Sequence, residues 1–543
     1  IHIVEPDLDM VVHAAVTEGY LKATTKPEPA DAFLIAVPTP FCTNGGGRDP
    51  DLSYVEAATR AISPVLKRGD LVILESTSPV GATEQMAAWL AEARPDLTFP
   101  QTHGEASDIR IAHCPERILP GLMHDDGAAV HPIGLASPFF QSLGLADHGL
   151  EWGWPEIDLA HPLPDGRAGA MMNSLDETSR FLGVDGPRWR SLFGPLAENF
   201  DDLAQEVLGP LLHVPHHLGP LARFGPAALL PATVLGRVWH TDEAAALFAG
   251  NAAHGWYPLT RPTTSAFALM FAAISHRYGW PIIKGGTARM PEALAAVLTT
   301  LGGRIETGHR VSSLSDLPPA DVILLDLEPG AVADLAGDAL PSRVRKAYRR
   351  FRRAPAAVKI DLAVDGGIPW RDEFSGRAGT VHVCGSAAEV VASEAEIHRG
   401  RMPERPFVLV AQQYLADSAR SVGDVHPVYV YAHVPHGYSG DATNAVLAQL
   451  ERFAPGTRDR IVGSVVRTPA DLAASNANLV GGDIIGGAND PLQVVMRPRI
   501  AADPYATGIP GVYICSASTP PGAGVHGMCG HNAALSALRR LGP

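Results

Sequence analysis

The residues whose types and spacing could support chemistry cluster most clearly near the end of the chain. Gly522-Ala523-Gly524-Val525-His526-Gly527 fits the pattern GxGxxG, between a predicted strand at 512–516 and a predicted helix at 532–541. Glycines let a backbone approach a flat ring or a pyrophosphate, and a helix N-terminus directs N–H groups at an anion. The acidic ribose ligand expected about 20 residues later does not follow. The pattern favours a ligand site, with a plain glycine-rich connection as the alternative.

Polar or proline-containing stretches also follow three predicted strands in the first 120 residues. The strands lie at 32–37, 71–75 and 109–113, and helical patterns separate them. Continuous apolar strands that alternate with helices predict a parallel, doubly wound sheet. Such sheets bind ligands at the carboxyl ends of their strands. Three stretches at equivalent places therefore favour a ligand crevice over three ordinary turns.

Residues 1–121 resemble the UDP-N-acetyl-D-mannosamine dehydrogenase branch of the UDP-sugar dehydrogenases. The resemblance rests on IHIVEPDLDMVV, FLIAVPTPF, DLVILESTSPVGATEQM and IAHCPERILPG, which occur in this order. It implies the later part of an NAD-binding domain. It also implies a UDP-sugar substrate, NAD contacts and two catalytic residues: Val37, Pro38 and Thr39 for NAD, and Thr77 and Glu116 for catalysis.

The first segment departs from this family in two ways. The opening strand, GxGxxG turn and helix of the NAD domain are not found, so we expect residues to be missing before Ile1. The family's GGHC nucleophile motif does not occur in the chain. Without that thiolate, the two-step oxidation of an alcohol to an acid has no covalent aldehyde intermediate.

Residues 122–543 resemble the phytoene-desaturase-like FAD-dependent oxidoreductases. The resemblance rests on HDDGAAVHPIGLASPFF, IIKGGTARMPEALAAVLTTLGGRIETGHRV, KIDLAVDGGIPW and YICSASTPPGAGVHGMCGHNAA. It implies FAD and an apolar, polyene-like substrate, although the family's own opening GxGxxG unit is absent before His124. The residues for which it implies cofactor contacts are Ala129, Val130, His131, Gly285, Gly286, Val311, Gly522, Ala523, Gly524, Val525, His526, Gly527 and Met528.

The elements that must position these residues predict an α/β protein. A partial doubly wound, Rossmann-like parallel sheet is expected over 1–121, followed by an FAD-oxidoreductase-like α+β domain over 122–543. Strand patterns at 357–364, 407–412 and 427–434 predict a mixed or antiparallel sheet in its substrate region. Residues 282–314 predict a strand, a Gly-Gly turn, a helix over 290–301, a cap at Gly302-Gly303 and a second strand. The predicted substrate region lies mainly at 137–280 and 340–470, and the predicted FAD-domain pieces lie at 122–136, 281–340 and 471–543.

Composition excludes several classes of protein. The 543 residues are 46% hydrophobic and 19% charged, which excludes a wholly disordered chain and a coiled coil. A net charge of −15 argues against a nucleic-acid partner. Five cysteines without a CxxC pair indicate neither a zinc knuckle nor a disulfide framework, and predict a cytoplasmic protein.

Two further features of the sequence bear on membrane and metal binding. No apolar run reaches the ~18 residues of a membrane span. The apolar stretch 218–235 predicts a buried or interfacial segment, which leaves peripheral membrane contact open. In His213-Val214-Pro215-His216-His217 the proline breaks helical spacing and no nearby ligand completes a set, so we predict no metal site.

The chain is thus predicted to join two oxidoreductase parts near residues 117–124. The first hypothesis is an FAD-dependent dehydrogenase or desaturase acting on an apolar small molecule. The second is an NAD-dependent UDP-N-acetyl-D-mannosamine dehydrogenase, of which the chain holds a part. The third is an inactive product of a gene or assembly fusion, because both parts lack their GxGxxG unit. The electron acceptor and oligomeric state stay open.

Overall fold

The computed structural model describes residues 22, 24–37, 52–74, 82–113 and 121–542. The chain divides into two compact units, residues 1–120 and residues 121–543. The strand predicted at 1–4 and the helix predicted at 7–20 lie outside the described residues.

The first unit is built around a parallel sheet with the strand order β1-β2-β3. Residues Ile35, Leu74 and His113 pair across the three strands, so the strands end level with one another. Apolar side chains of the sheet and helices share one core, as expected for a doubly wound layer. The elements are β1 (Ala32–Ile35), α1 (Ser53–Ile62), β2 (Leu71–Leu74), α2 (Ala82–Ala93), α3 (Pro100–His103) and β3 (Arg110–His113).

The continuous apolar run of β1 is buried on one face only. Phe33 and Ile35 are buried, whereas Ala32 and Leu34 are exposed, with Leu34 at 57%. Successive side chains point to opposite faces of a strand, so only one face of β1 packs in the core.

The second unit combines one large sheet, several short strands and many helices. Its strands are β4 (Trp152–Gly153), β5 (Ile157–Pro162), β6 (Ala168–Met171), β7 (Ile282–Ile283), β8 (Ile323–Leu325), β9 (Ala356–Asp365), β10 (Ala378–Val383), β11 (Val408–Ala411), β12 (Val425–Val434), β13 (Ile461–Arg467) and β14 (Val512–Ile514). Its helices are α4 (Pro132–Leu135), α5 (Pro138–Gln141), α6 (Leu175–Phe181), α7 (Gly186–Glu198), α8 (Phe200–Val207), α9 (Leu218–Ala228), α10 (Ala232–Leu235), α11 (Asp242–Ala253), α12 (Ser265–Tyr278), α13 (Arg289–Thr300), α14 (Pro329–Ala336), α15 (Ser342–Arg349), α16 (Glu373–Arg377), α17 (Ala387–His398), α18 (Thr443–Phe453), α19 (Thr457–Arg460), α20 (Pro469–Ser475), α21 (Pro491–Met496) and α22 (Met528–Leu541).

The large sheet has the order β13-β9-β12-β11-β10-β5-β6. Its strands pair antiparallel except for β10 and β5, which pair parallel. The predicted α/β fold class, with a parallel sheet at the start and a mixed sheet in the larger part, is confirmed. One face of the sheet carries a core of Val358, Ile360, Val428 and Val430 against α18. The residues between them point to the opposite face, where the candidate site lies.

Two predicted elements of the second unit differ from those observed. No strand follows Gly302-Gly303, because residues 304–312 are exposed and pair with no other strand in the described part of the chain. Gly302 does end α13 in the left-handed conformation, with φ +85°. The terminal helix begins at Met528, four residues before the predicted start, so the glycine-rich loop runs directly into it.

Within the described residues, no single helix is long and apolar enough to cross a membrane. The pair formed by Leu218–Ala228 and Ala232–Val238 passes the same test of length and composition, but it is bent by 90°.

Candidate functional site

A cavity of about 790 Å³ lies inside the second unit. This volume falls within the usual range for small-molecule sites. One wall is the face of the large sheet, a second is formed by α12 and the residues around it, and a third is formed by residues 126–134 and 517–525. The residues contributed by α12 are Ala266, Phe267, Met270, Phe271 and Ile274, whose spacing of three and four places them on one side of the helix.

The strands direct their polar and aromatic side chains at the cavity. Lys359 pairs with Tyr431 across β9 and β12, and Asp361 pairs with Tyr429, so these four residues share one face. The Lys359 Nζ lies 4.7 Å from the centroid of the Tyr429 ring. A cation over an aromatic face is stabilised by the charge distribution of the ring, most strongly when water is excluded.

Lys359 is the buried cation of this cavity wall. Its ammonium group pairs with the Asp361 carboxylate, and both side chains are less than a tenth exposed. Burial lowers the pKa of Lys359, although Asp361 opposes the shift. Burial alone would raise the pKa of Asp361, but contacts with His124 and Lys359 outweigh it and lower that pKa. In this wall Lys359 therefore gives up its proton more readily than it would in water, whereas Asp361 stays ionised and accepts a proton less readily.

Trp256 stacks on the aromatic face of β12. Its ring centroid lies 3.6 Å from that of His433 and 5.9 Å from that of Tyr431, in nearly parallel planes. Trp256 has φ +52° and Thr263 has φ +72°. They are the non-glycine residues with positive φ in the described part of the chain, and both line the cavity. Backbone strain of this kind concentrates at ligand sites, which supports a binding role for the cavity.

The wall formed by residues 126–134 is held by a buried ion pair. Arg420 donates to Asp125 at 2.7 Å and to the carbonyl oxygen of Ile283, and its side chain is fully buried. Asp125 also accepts from the backbone N–H of Thr287, whose hydroxyl donates to the carbonyl of Ala128. These bonds fix the path of the chain just before it enters the cavity wall.

The buried network of Asp125, Arg420 and Thr287 forms a clamp, the Asp125 clamp. Gly285 and Gly286 lie beside it and are not among the residues that line the cavity. The N–H of Gly285 donates to Asp417 at 2.8 Å, and both glycines have positive φ. A Cβ on Gly286 would lie 3.1 Å from the Met123 sulfur. Their role in cofactor binding stays a prediction.

The C-terminal glycine-rich loop forms the facing part of the same wall. Ala523, Gly524 and Val525 line the cavity together with Ala129, Val130 and His131. The two segments are in direct contact, because a Cβ on Gly134 would lie 2.9 Å from the Val525 carbonyl oxygen. The Ser137 hydroxyl adds a hydrogen bond of 2.6 Å to the carbonyl of His526. The two predicted cofactor segments, 394 residues apart in sequence, are therefore brought together.

Four other predicted residues of this loop lie behind the lining. His526 is buried, accepts the N–H of Met528 at Nδ1 and contacts the Gly522 carbonyl through Nε2 at 3.2 Å. Gly527, with φ +65°, precedes α22. Their contribution is to hold the loop, and direct cofactor contacts at Gly522, His526, Gly527 and Met528 stay predictions.

The remaining predicted residues are not part of the cavity wall. Val311 is 37% exposed on the irregular segment after α13. In the first unit, Val37 is half-buried two residues after β1 ends. Pro38, Thr39, Thr77 and Glu116 lie outside the described residues. The NAD-binding and catalytic roles of these first-unit residues stay predictions.

The histidine-rich segment at 213–217 is organised by a carboxylate. Buried Glu206 contacts His213 Nε2 at 2.7 Å and accepts the N–H groups of His216 and His217. Among the described residues, no group of three or more His, Cys, Asp or Glu side chains could hold a metal ion.

Sequence reasoning missed the sheet face as part of the site. The missed residues share an alternating pattern within β-strands, in which every second position is polar or aromatic where an apolar core residue is expected. Lys359 and Asp361 in VKIDLAV and Tyr429, Tyr431 and His433 in VYVYAHV show it. That alternation in an otherwise buried strand was the available signal.

The start of the chain is similar to a known family of dehydrogenases. Residues 1–137 match the UDP-glucose/GDP-mannose dehydrogenase family, NAD binding domain. The NDP-N-acetyl-D-galactosaminuronic acid dehydrogenase of Ralstonia nicotianae is 75% identical over 121 residues, which are 22% of this chain and 28% of that protein. The UDP-N-acetyl-D-mannosamine dehydrogenase of Yersinia pestis is 73% identical over the same shares. The chain thus spans little more than a quarter of these relatives.

Solved structures also match a much larger part of the chain at low identity. An oxidoreductase from Methanosarcina mazei is 15% identical with a TM-score of 0.46, covering 86% of this chain and 99% of that one. A putrescine oxidase is 15% identical with a TM-score of 0.44, covering 88% of this chain and 100% of that one. The resemblance predicted for residues 1–121 is confirmed: this part of the chain is similar to the NAD binding domain of the UDP-glucose/GDP-mannose dehydrogenase family, and the match ends at residue 137, shortly after the second unit begins.

Proposed function

We propose that the second unit is an FAD-dependent oxidoreductase acting on an apolar small molecule. The observation that carries the proposal is the cavity itself. Two segments with flavoprotein-like motifs form one wall, and aromatic and aliphatic side chains form most of the others. An apolar cavity with few, well-placed polar groups is the usual form of a small-molecule site.

The cavity fits a flat cofactor ring at its glycine-rich wall. Gly524 lines it with φ +133°, and a Cβ there would lie 2.8 Å from the His526 ring and 3.3 Å from Ile133. The absence of a side chain at Gly524 lets this part of the wall pack tightly against His526 and Ile133, so any side chain there would displace the wall. Ala129–His131 and Ala523–Val525 would hold the cofactor on one side, facing Trp256 and Tyr431 on the other.

Bound FAD would supply hydride transfer. The chain's own residues would exclude water and position the substrate, because Phe267, Met270 and Phe271 present apolar side chains to the cavity. Lys359 would hold or release a proton at the sheet face, since burial lowers its pKa. Thr380 and Asn489 supply polar contacts in the same lining.

The route for an apolar substrate is supported by exposed aliphatic residues next to the cavity. Leu211 lines the cavity and is 37% exposed, so the cavity reaches the surface near it. Leu212, Val214, Leu218 and Leu229, around α9, are each more than 60% exposed. A cluster of exposed apolar residues is typical of a surface that meets a membrane or another apolar phase. We propose peripheral membrane contact here.

Substituting Gly524 is expected to weaken FAD binding. In Gly524→Ala the added methyl group meets His526 and Ile133 in a strained backbone, so the dissociation constant for FAD should rise at least about tenfold. Gly437→Ala is the matched control, because Gly437 also has positive φ (+65°) but a Cβ there meets nothing within 4 Å. Fluorescence titration of FAD into the full chain measures both. Equal effects of the two variants would contradict the assignment of this wall.

NAD binding by the first unit is the second candidate function. The family match over residues 1–137 favours it, and the level ends of β1, β2 and β3 are where such a sheet binds ligands. Calorimetric titration of the full chain with NAD tests it, and the absence of any heat of binding would contradict it.

NADH formation from a UDP-amino-sugar is the corresponding activity assay. The missing GGHC motif predicts no turnover in it.

A chain that binds neither FAD nor NAD would support the third hypothesis, an inactive fusion product. Sequencing the coding DNA across residues 110–130 from fresh source material tests it independently. An uninterrupted reading frame there would contradict an assembly error.

A further inference from the structure

A fully buried arginine lies directly behind the glycine-rich cavity wall. Arg497 is 1% exposed, and a Cβ on Gly522 would lie 2.4 Å from its Nη1. Gly522 is followed by Ala523 and Gly524, both of which line the cavity. Only the backbone of this loop therefore separates a positive charge from the cavity.

The guanidinium of Arg497 has no carboxylate partner. Within residues 121–542, no aspartate or glutamate oxygen lies within 4.0 Å of it, whereas the buried Arg420 has two such partners. The nearby Asp490 pairs with Arg352, and Asp483 accepts the N–H groups of Ala354 and Ile485. A buried charge without a counter-charge is costly to desolvate, and an arginine stays protonated in proteins.

The hydrogen bonds of Arg497 are also weak for a charged donor. Only the bond from Nη2 to Asn489 Oδ1, at 2.7 Å, has the length of a strong bond. The bonds to the carbonyl oxygens of Gln493, Ala517 and Ala488 are 3.3–3.5 Å long. Asn489 itself lines the cavity, so the best-held end of the guanidinium faces that way. The guanidinium of Arg497 therefore lacks a negatively charged partner among the described residues.

We propose that Arg497 is the counter-charge for an anionic oxygen of the ligand that lies against the Gly522–Gly524 loop. This inference rests on the flavin function proposed above. Such an oxygen has two sources in FAD, the diphosphate and the ring after it takes up a hydride. A negatively charged ligand oxygen on the cavity side of the loop would offset the buried charge of Arg497 across the loop backbone, which ties affinity to a residue outside the cavity lining.

The test compares Arg497→Gln with wild type in the full chain, using FAD and riboflavin in both redox states. Loss of at least about tenfold in FAD affinity in both states, with riboflavin unchanged, supports the proposal and assigns the diphosphate. Loss confined to the reduced forms of FAD and riboflavin supports it and assigns the ring. Affinities within twofold of wild type for every form overturn it.

Two further variants separate a charge effect from a folding defect. Arg499→Gln removes a positive charge two residues away, where Arg499 donates to the Ala506 carbonyl, and should leave every affinity unchanged. Asn489→Asp places a carboxylate on the strong bond of Arg497 and loses the bond from the Asn489 amide to the Gly255 carbonyl, so it should weaken FAD or reduced-flavin binding by neutralising the arginine. A folded Asn489→Asp variant with unchanged flavin affinity in every form would overturn the proposal.

A chain that binds no flavin would refute the proposed function and still leave this inference testable. Inorganic pyrophosphate is then the probe, and its effect on the melting temperature is the readout. A rise in wild type that Arg497→Gln lacks supports an anion site. No rise in wild type overturns it.

Discussion

Acidification from pH 6.5 towards pH 4 is expected to unfold the second unit over a narrow range. Burial lowers the pKa of His131, His161, His276 and His526 to about 4, and that of His254 to about 3, from an ordinary 6.5. Between these limits the unfolded chain binds protons that the folded chain does not, so stability falls as the pH falls. Each of these histidines lowers the free energy of unfolding by about 1.4 kcal/mol for every pH unit in this range. The five together lower it by roughly 7 kcal/mol per pH unit.

One buried carboxyl group acts in the opposite direction. Burial raises the pKa of Asp158 to about 6, so the folded chain holds a proton there that the unfolded chain loses. This offsets roughly one of the five histidines. The loss of stability per pH unit that remains is large compared with a total free energy of unfolding of about 5–15 kcal/mol. Protonation of the histidines is therefore expected to unfold the second unit.

Proton uptake on unfolding measures this directly. Denaturant unfolding at pH 5, followed with a pH-stat, should take up about four protons per chain from these groups, and His161→Gln should reduce that by about one. At pH 8 the same histidines are neutral in both states and should contribute none. An uptake near zero at pH 5 would show that the histidines are not held neutral by burial.

Removing the Arg420 guanidinium is expected to destabilise the second unit by about 3–5 kcal/mol, because Arg420→Met leaves two carboxylates without their buried partner. Arg420 pairs with Asp125 and Asp417 at full burial. Arg401→Met is the control, since Arg401 is 62% exposed in its pair with Glu396 and should cost less than about 1 kcal/mol.

Tryptophan fluorescence in urea follows both variants, since seven of the eight tryptophans lie beyond residue 120. A far lower midpoint is expected for Arg420→Met than for Arg401→Met. Equal midpoints would mean that the Asp125 clamp does not hold the 126–134 wall. Loss of FAD binding at urea concentrations that leave the control loaded is expected as well.

Local patterns were sufficient to predict much of this architecture. The apolar runs at Ala32–Ile35 and Leu71–Leu74 form the predicted parallel strands, because their composition and the intervening helices leave few other arrangements. The pairing of Ala129–His131 with Ala523–Val525 was anticipated by motif resemblance rather than by periodicity. Nothing in the local sequence determines that residues 394 positions apart share a wall.

The residues that meet on the sheet face and in the Asp125 clamp could be identified only from the tertiary structure. The alternation around Lys359 marks one face of its strand, but nothing in the local sequence shows that Tyr431 lies across from it. Arg420 and Arg497 are two among 37 arginines, and only their burial separates them from surface residues. The predicted strand after Gly303 was wrong because Arg304, Glu306 and Arg310 suit solvent, and strand formation depends on a partner strand as well as on local composition.

The flavin content of the purified full chain tests the central claim most directly. The chain is denatured after saturation with FAD and removal of the excess, and the released flavin is separated and quantified. The account predicts about one FAD per chain, and markedly less for Gly524→Ala than for Gly437→Ala. A colourless protein that releases no flavin and takes up none would contradict it.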